Sequence, residues 1–198
     1  MEQPMADFHA VQTTCDAIMR MLQESYRPDL IEPRLNLQFE VYGTDDFKKH
    51  MTQGVSLFLY RVYVNATQRA PLTKGNNGTA RRQLLPLDLH FFITAWAPKA
   101  SLQHAILGWT MRMLEDQPVL PSSLLNGARA GVFGVDETVE VVVGQLTNEE
   151  LMRIWDDLAT EYQLSVPYVA RVVRIESVQE VSQEELVKQR QLEYGVVR

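Results

Sequence analysis

Apolar residues recur along this chain with two periods, and the changes from one period to the other mark its elements. From Asp7 to about Tyr26, Phe8, Val11, Cys15, Ile18 and Leu22 return at steps of three and four, which predicts a helix with one buried stripe. Asp7 is placed to cap it, and Pro28 ends it by disfavouring helix in the residue before. From Arg34 to Tyr42 the period drops to two, with Leu35, Leu37, Phe39 and Val41 on one side, the pattern of a half-buried strand. "GVSLFLYRVYVN" (54–65) is apolar on both sides and rich in β-branched and aromatic residues, so it reads as a central strand covered on two faces.

The stretch "NATQRAPLTKGNNGTARRQ" (65–83) has no period and holds Gly75, Asn76, Asn77 and Gly78, as a long loop or extended hairpin tip would. A long strand follows it and ends at Pro98. Leu87, Leu89, Phe91, Ile93 and Ala95 alternate with Asp88, His90, Phe92, Thr94 and Trp96. Two long strands around a polar loop predict an antiparallel pair. Ser101 is the expected cap of a helix carrying Ala105, Ile106, Trp109, Met113 and Leu114, which runs to about Asp116 ahead of Pro118.

"VLPSSLLNGARAGVFG" (119–134) is irregular, with room for one short helical turn, and "ETVEVVVG" (137–144) is a strand. Thr147 and Glu150 have the spacing of a capping box, and the helix they start should bury Leu151, Ile154, Trp155 and Leu158. A last strand spans 165–178. Residues 179–198 are charged, with helical spacing over Glu184–Glu193 and no apolar face wide enough for a core. The predicted fold is α+β: a single mixed, mainly antiparallel sheet with helices packed on it. Residues 1–178 form the domain and 179–198 a charged extension.

Composition narrows the function classes. The chain has 198 residues, 45% of them hydrophobic and 22% charged, enough to bury a core without disulfides. Its single cysteine, Cys15, forms no bridge within the chain and fits a reducing compartment. No apolar run approaches the roughly 20 residues of a membrane span, so direct membrane insertion is not expected, and the first residues lack the pattern of a signal peptide. The net charge of −6 argues against nucleic acid as the main partner. Its distribution is uneven. Between Asp46 and Asp88 there is no acidic residue, while Lys48, Lys49, Arg61, Arg69, Lys74, Arg81 and Arg82 are basic. After Glu115 the balance turns acidic, with Asp156, Asp157, Glu161, Glu180, Glu184 and Glu185. Such asymmetry suits a docking surface as well as it suits an uneven solvated one.

The candidate chemistry is thin. Asp88 and His90 lie two apart on a strand and share a face, about 6 to 7 Å from each other. A metal would need further ligands, and no HxH, HExxH or CxxC supplies them. "KGNNGT" lacks the order of a phosphate-cradling loop, and Cys15 on an apolar stripe reads as a small hydrophobe. His9, His50 and His104 have no clustered partners, and Trp109 and Trp155 sit at core spacing. Basic residues interleaved with Tyr60 and Tyr63 could suggest RNA binding, but those tyrosines belong to a strand that reads as buried. No catalytic residue, metal or cofactor is expected.

Four linked stretches do carry a resemblance. "VSLFLYRVYVNATQR", "LPLDLHFFITAWAP", "HAILGWTMRMLEDQPVL" and "LTNEELMRIWDDLATEYQLSVPYVARVVRIES" are similar, in this order, to the N-terminal domain of the cap (tail-terminator) proteins of phage-tail-like contractile injection systems. The positions that carry it are Ser56–Arg61, Leu87–His90, Leu107-Gly108, Leu114–Leu120, Trp155 and Leu164–Ser177, within a match over roughly residues 7–178. The resemblance implies a non-enzymatic structural protein, assembled in the cytoplasm. It would form a homo-hexameric ring that closes inner tube and contractile sheath at the end distal to the baseplate. Its implied partners are itself, the tube protein and the sheath protein. For the docking surface, the charge pattern nominates Arg69, Lys74, Arg81 and Arg82 with Glu184 and Glu185. Two other readings stand beside it: a different ring or adaptor of the same particle, such as a tube initiator or baseplate component, and a small hydrolase using Asp88 and His90.

Overall fold

The structure, a computed structural model, describes residues 6–69 and 84–177. In chain order its elements are α1 (Ala10–Ser25), β1 (Gln38–Tyr42), a 3-10 turn (Asp46–Lys49), β2 (Gly54–Val64), β3 (Leu84–Trp96), α2 (Ala100–Asp116), β4 (Val119–Pro121), α3 (Ser122–Leu125), β5 (Thr138–Val143), α4 (Asn148–Asp156) and β6 (Ser165–Glu176). The six strands form one sheet in the order β1-β2-β3-β6-β5-β4. Only β1–β2 is parallel, and the other pairs are antiparallel, so the sheet is mixed and mainly antiparallel as expected.

β3 lies between β2 and β6, and its strict alternation divides the core into two layers. Leu87, Leu89, Phe91, Ile93 and Ala95 face α1, α2 and α3, packing with Ile18, Leu22, Ile106 and Leu114. Phe92 and Trp96 point to the other side, where the 3-10 turn, α4 and the turn after it bring Phe47, Leu151, Trp155 and Leu158. The period of two in this one strand therefore sorts two separate apolar clusters. On the second side the rings of Phe92 and Trp155 stack with centroids 5.5 Å apart, and Phe47 meets Trp155 edge-on at 5.6 Å. The capping box forms as its spacing predicts. The Glu150 N–H donates to Thr147 Oγ1 at 3.2 Å, and the Thr147 N–H donates to Glu150 Oε2 at 2.9 Å.

Several expectations are corrected. α1 starts at Ala10, because Asp7 caps the turn before it, accepting from the His9 N–H at 2.8 Å. That turn leaves Phe8 outside the buried stripe, 62% exposed. The strand expected from Arg34 begins only at Gln38, since Arg34 sits at φ 63°, a left-handed conformation that no strand accommodates. α2 is flanked by Lys99, with Ser101 already inside the helix and making no cap, and Ala105 faces solvent. Residues 119–125 hold the expected helical turn plus a short edge strand that the sequence did not announce. The stretch Glu184–Glu193 lies outside the described residues.

The largest correction concerns β2. Its first half, Gly54–Leu57, is buried on both faces, but Arg61–Val64 is exposed, so the strand is not central along its whole length. β1 pairs with it only as far as Phe58, and neither apolar layer reaches its far end. Gly54 marks the point where β1 closes in: at φ 154° a Cβ there would come within 2.2 Å of the Gln38 carbonyl oxygen.

Candidate functional site

Beyond Phe58, β2 has no β1 neighbour and runs on beside β3, which β6 covers on its other side, as a three-stranded arm of the sheet. A bulge at Tyr60 starts it: Leu59 opposes Phe91, while Arg61 opposes His90, one residue out of step. The extra residue puts Tyr60 and Arg61 on the same side as His90. From there Val62 and Val64 return to the α1 side, opposite Leu89 and Leu87.

On the α4 side the arm carries polar and aromatic groups. The Arg61 guanidinium lies 5.2 Å from the Tyr63 ring centre, and His90 meets Tyr63 edge-on at 5.1 Å and Tyr60 at 6.2 Å. Burial pushes the His90 pKa below its ordinary value; the Asp88 carboxylate opposes that shift, and Arg61 and Arg171 add to it. Asp88 is bound elsewhere. Asn65 Nδ2 donates to Asp88 Oδ2 at 2.9 Å, and Asp88 Oδ1 is buried with no hydrogen-bond partner among the described residues.

Asn65 also fixes the end of the arm. Its N–H donates to the Pro86 carbonyl at 2.9 Å, and its Oδ1 accepts from the Gln68 N–H at 3.1 Å. That Asn-nucleated turn presents Arg69, which is exposed. Thus Asp88 and His90 serve the arm itself: one anchors Asn65, and the other packs under tyrosines. Asp88 Oδ2 is taken up by Asn65, and among the described residues no hydrogen bond joins Asp88 to His90. Among the described residues no three His, Cys, Asp or Glu side chains are grouped to hold a metal ion.

Of the nominated docking residues the structure places Arg69 alone. Lys74, Arg81, Arg82, Glu184 and Glu185 lie outside the described residues. Sequence reading missed Arg61, Val62, Tyr63 and Val64, because a run with apolar residues on both faces looks buried. Tyr63 is in fact 49% exposed. Asp156, Asp157 and Glu161 are exposed at the end of α4 and after it. Burial raises the Cys15 thiol to about 12, so it stays protonated and serves as packing. His50, expected to be isolated, stacks on Trp96 with ring centres 4.4 Å apart. No helix among the described residues is long and apolar enough to cross a membrane.

The sequence model of the Pvc16 N-terminal domain family matches residues 13–189. The chain belongs to this family. Its fold is similar to two structures solved by cryo-electron microscopy. One is the PVC sheath/tube terminator of an extracellular contractile injection system in the extended state, with TM-score 0.57 and 17% identity. That match covers 98% of this chain and 65% of the other. The second is the tube terminating cap of the anti-feeding prophage, with TM-score 0.58 and 15% identity over 90% of this chain and 59% of that one. The chain therefore spans about two thirds or less of the length of these relatives. No curated protein matches it significantly.

Proposed function

We propose that this chain is a structural, non-enzymatic terminator: a ring that closes the inner tube and contractile sheath of an injection particle at the end distal to the baseplate. The observation that carries this reading is the Pvc16 N-terminal domain match over residues 13–189, nearly the whole chain. Of the solved structures of similar fold, one is a sheath/tube terminator of an extracellular contractile injection system and another is the tube terminating cap of the anti-feeding prophage.

The physical features support a ring. Closed cyclic assemblies use heterologous contacts, in which one patch meets a different patch on the neighbour. The arm with exposed Arg61 and Arg69 is one such patch, and the exposed carboxylates of Asp156, Asp157 and Glu161 are another. We infer six copies, contacts with both tube and sheath proteins, and assembly in the cytoplasm. Residues 1–178 form the capping body and 179–198 an extension.

Imaging of purified particles with this chain labelled tests the reading. The expected result is a six-fold ring at the distal end. A single copy there, or no density there, overturns it, and a ring at the baseplate end assigns the chain to a tube-initiating or adaptor role instead.

A further inference from the structure

The α4 side of the arm gathers positive charge from two strands around a histidine on the strand between them. Arg61 on β2 opposes His90 on β3 in register, and β6 brings Arg171 alongside, two residues past Val169, the partner of His90. The His90 pKa registers both charges: burial lowers it most, Asp88 opposes the shift, and Arg61 and Arg171 lower it further. Two carboxylates close to this face are committed to other donors. Asp88 Oδ2 accepts from Asn65, and Glu150 Oε2 accepts from the N–H and the hydroxyl of Thr147. Glu140 opposes Arg171 from β5, yet among the described residues neither arginine forms an ion pair. Both arginines are exposed, and Tyr63 beside Arg61 is 49% exposed. Tyrosine and arginine together are the composition of a protein interface centre.

The opposite charge lies at the other end of the same face. α4 starts beside the arm: the Thr147 bonds lower the Glu150 pKa most, and the Arg61 charge lowers it further. From Asn148 to Asp156 the helix then carries the chain about 12 Å away, at about 1.5 Å per residue. It ends at Asp156, followed by Asp157 and Glu161, all exposed and none in an ion pair among the described residues. Tyr162, 42% exposed, meets Trp155 edge-on at 5.7 Å beside them. Trp155 seats the helix on Phe92 and Trp96, which holds the acidic end away from the arginines of its own chain.

We propose that the acidic end of α4 in one copy docks on the arginine face of the next. Asp156, Asp157 and Glu161 meet Arg61 and Arg171, with Tyr162 and Tyr63 packed among them. Arginine forks take carboxylates in a fixed geometry, so the contact orients the two copies as well as attracting them. It joins two different patches, so each copy keeps its basic face for one neighbour and its acidic end for the other. Repeated under one rotation, such a contact closes a ring. The inference rests on the ring reading above and names the contact that builds it.

Charge exchange in assembled particles tests it. Arg61→Glu with Arg171→Glu, or Asp156→Lys with Asp157→Lys and Glu161→Lys, should each cut the fraction of ringed tube ends at least about tenfold, because like charges then face each other. Both sets combined in one chain should restore the ring, with melting temperatures showing that each variant folds. Normal capping by either set alone, or no rescue by the combination, overturns the contact. A second measurement needs no charge change. Tyr63→Cys and Ala159→Cys in one chain, treated with a short bismaleimide in particles, should give a ladder of covalent multiples of the chain. Cys15 is buried and protonated, so it stays out of the reaction. Product of monomer mass only, with a labelled ring still visible, overturns the contact and leaves capping standing. Absence of the chain from the tube end overturns both.

Discussion

The Trp96 indole N–H donates to Ser56 Oγ at 2.8 Å, both side chains being fully out of solvent. Ser56 and Trp96 lie on adjacent strands, two residues out of direct register, so this bond spans β2 and β3 diagonally beneath the second aromatic layer. His50 covers the same indole from above. A small hydroxyl inside an otherwise apolar strand run thus has a reason: it satisfies the only polar atom of a large buried ring.

Removing that hydroxyl should be costly out of proportion to its size. Ser56→Ala leaves the indole donor buried without a partner, which costs about 1 to 3 kcal/mol. Chemical denaturation of Ser56→Ala measures this. A double variant with Trp96→Phe, which removes the donor as well, should show less than additive loss. Full additivity would mean that the bond contributes nothing.

Trp155 makes the complementary case. It is buried against Phe92 and Phe47, and its indole nitrogen has no hydrogen-bond partner among the described residues. Its contribution is therefore packing. Trp155→Ala should cost about 3 to 5 kcal/mol through the cavity it leaves. Trp155→Phe should retain much of the stability, because no donor is lost. Wild-type thermal stability in the alanine variant would place α4 off the sheet.

What was legible in the sequence is what elementary periodicity controls. The alternation over Leu87–Trp96, the Thr147–Glu150 cap and the stripe Cys15–Ile18–Leu22 each became the element expected. The misses have a common cause. Phe8, Val62, Tyr63 and Val64 are apolar yet exposed, and composition cannot tell an apolar surface held for a partner from a core. Arg34 adopts a positive φ set by its turn, with its N–H donating to Asp29 Oδ1 at 3.3 Å, a local demand that alternation does not register. Of the residues nominated for docking from charge, Arg69 stands where the arm ends, whereas the exposed tyrosine–arginine face of the arm was read as interior.

His90 gives a pH dependence. Its folded pKa lies below the ordinary 6.5, because burial disfavours the imidazolium. Above 6.5 both states are neutral, and the residue contributes nothing to the pH dependence of stability. As pH falls through that value the unfolded chain takes up a proton that the folded chain refuses until its lower pKa is reached, so stability declines across that window. His90→Gln should flatten this part of the curve of melting temperature against pH. An unchanged slope on the acid side of neutrality would remove His90 as its cause.

The final prediction concerns the basic residues that follow the arm. The Asn65 bonds to Pro86, Asp88 and Gln68 hold the far ends of β2 and β3 together. Charge reversal at Arg69, Lys74, Arg81 and Arg82 together should therefore leave folding and melting temperature unchanged. A single exposed ion pair is worth about 0.2 to 1 kcal/mol, so each substitution alone should have little effect on assembly. In a closed ring the same small loss recurs in every subunit, and four reversals per subunit turn attraction toward an acidic face into repulsion. The quadruple variant should fail to cap particles and leave tubes and sheaths with a broad spread of lengths in electron micrographs. Particles of normal, uniform length made with this variant would show that the basic residues take no part in docking.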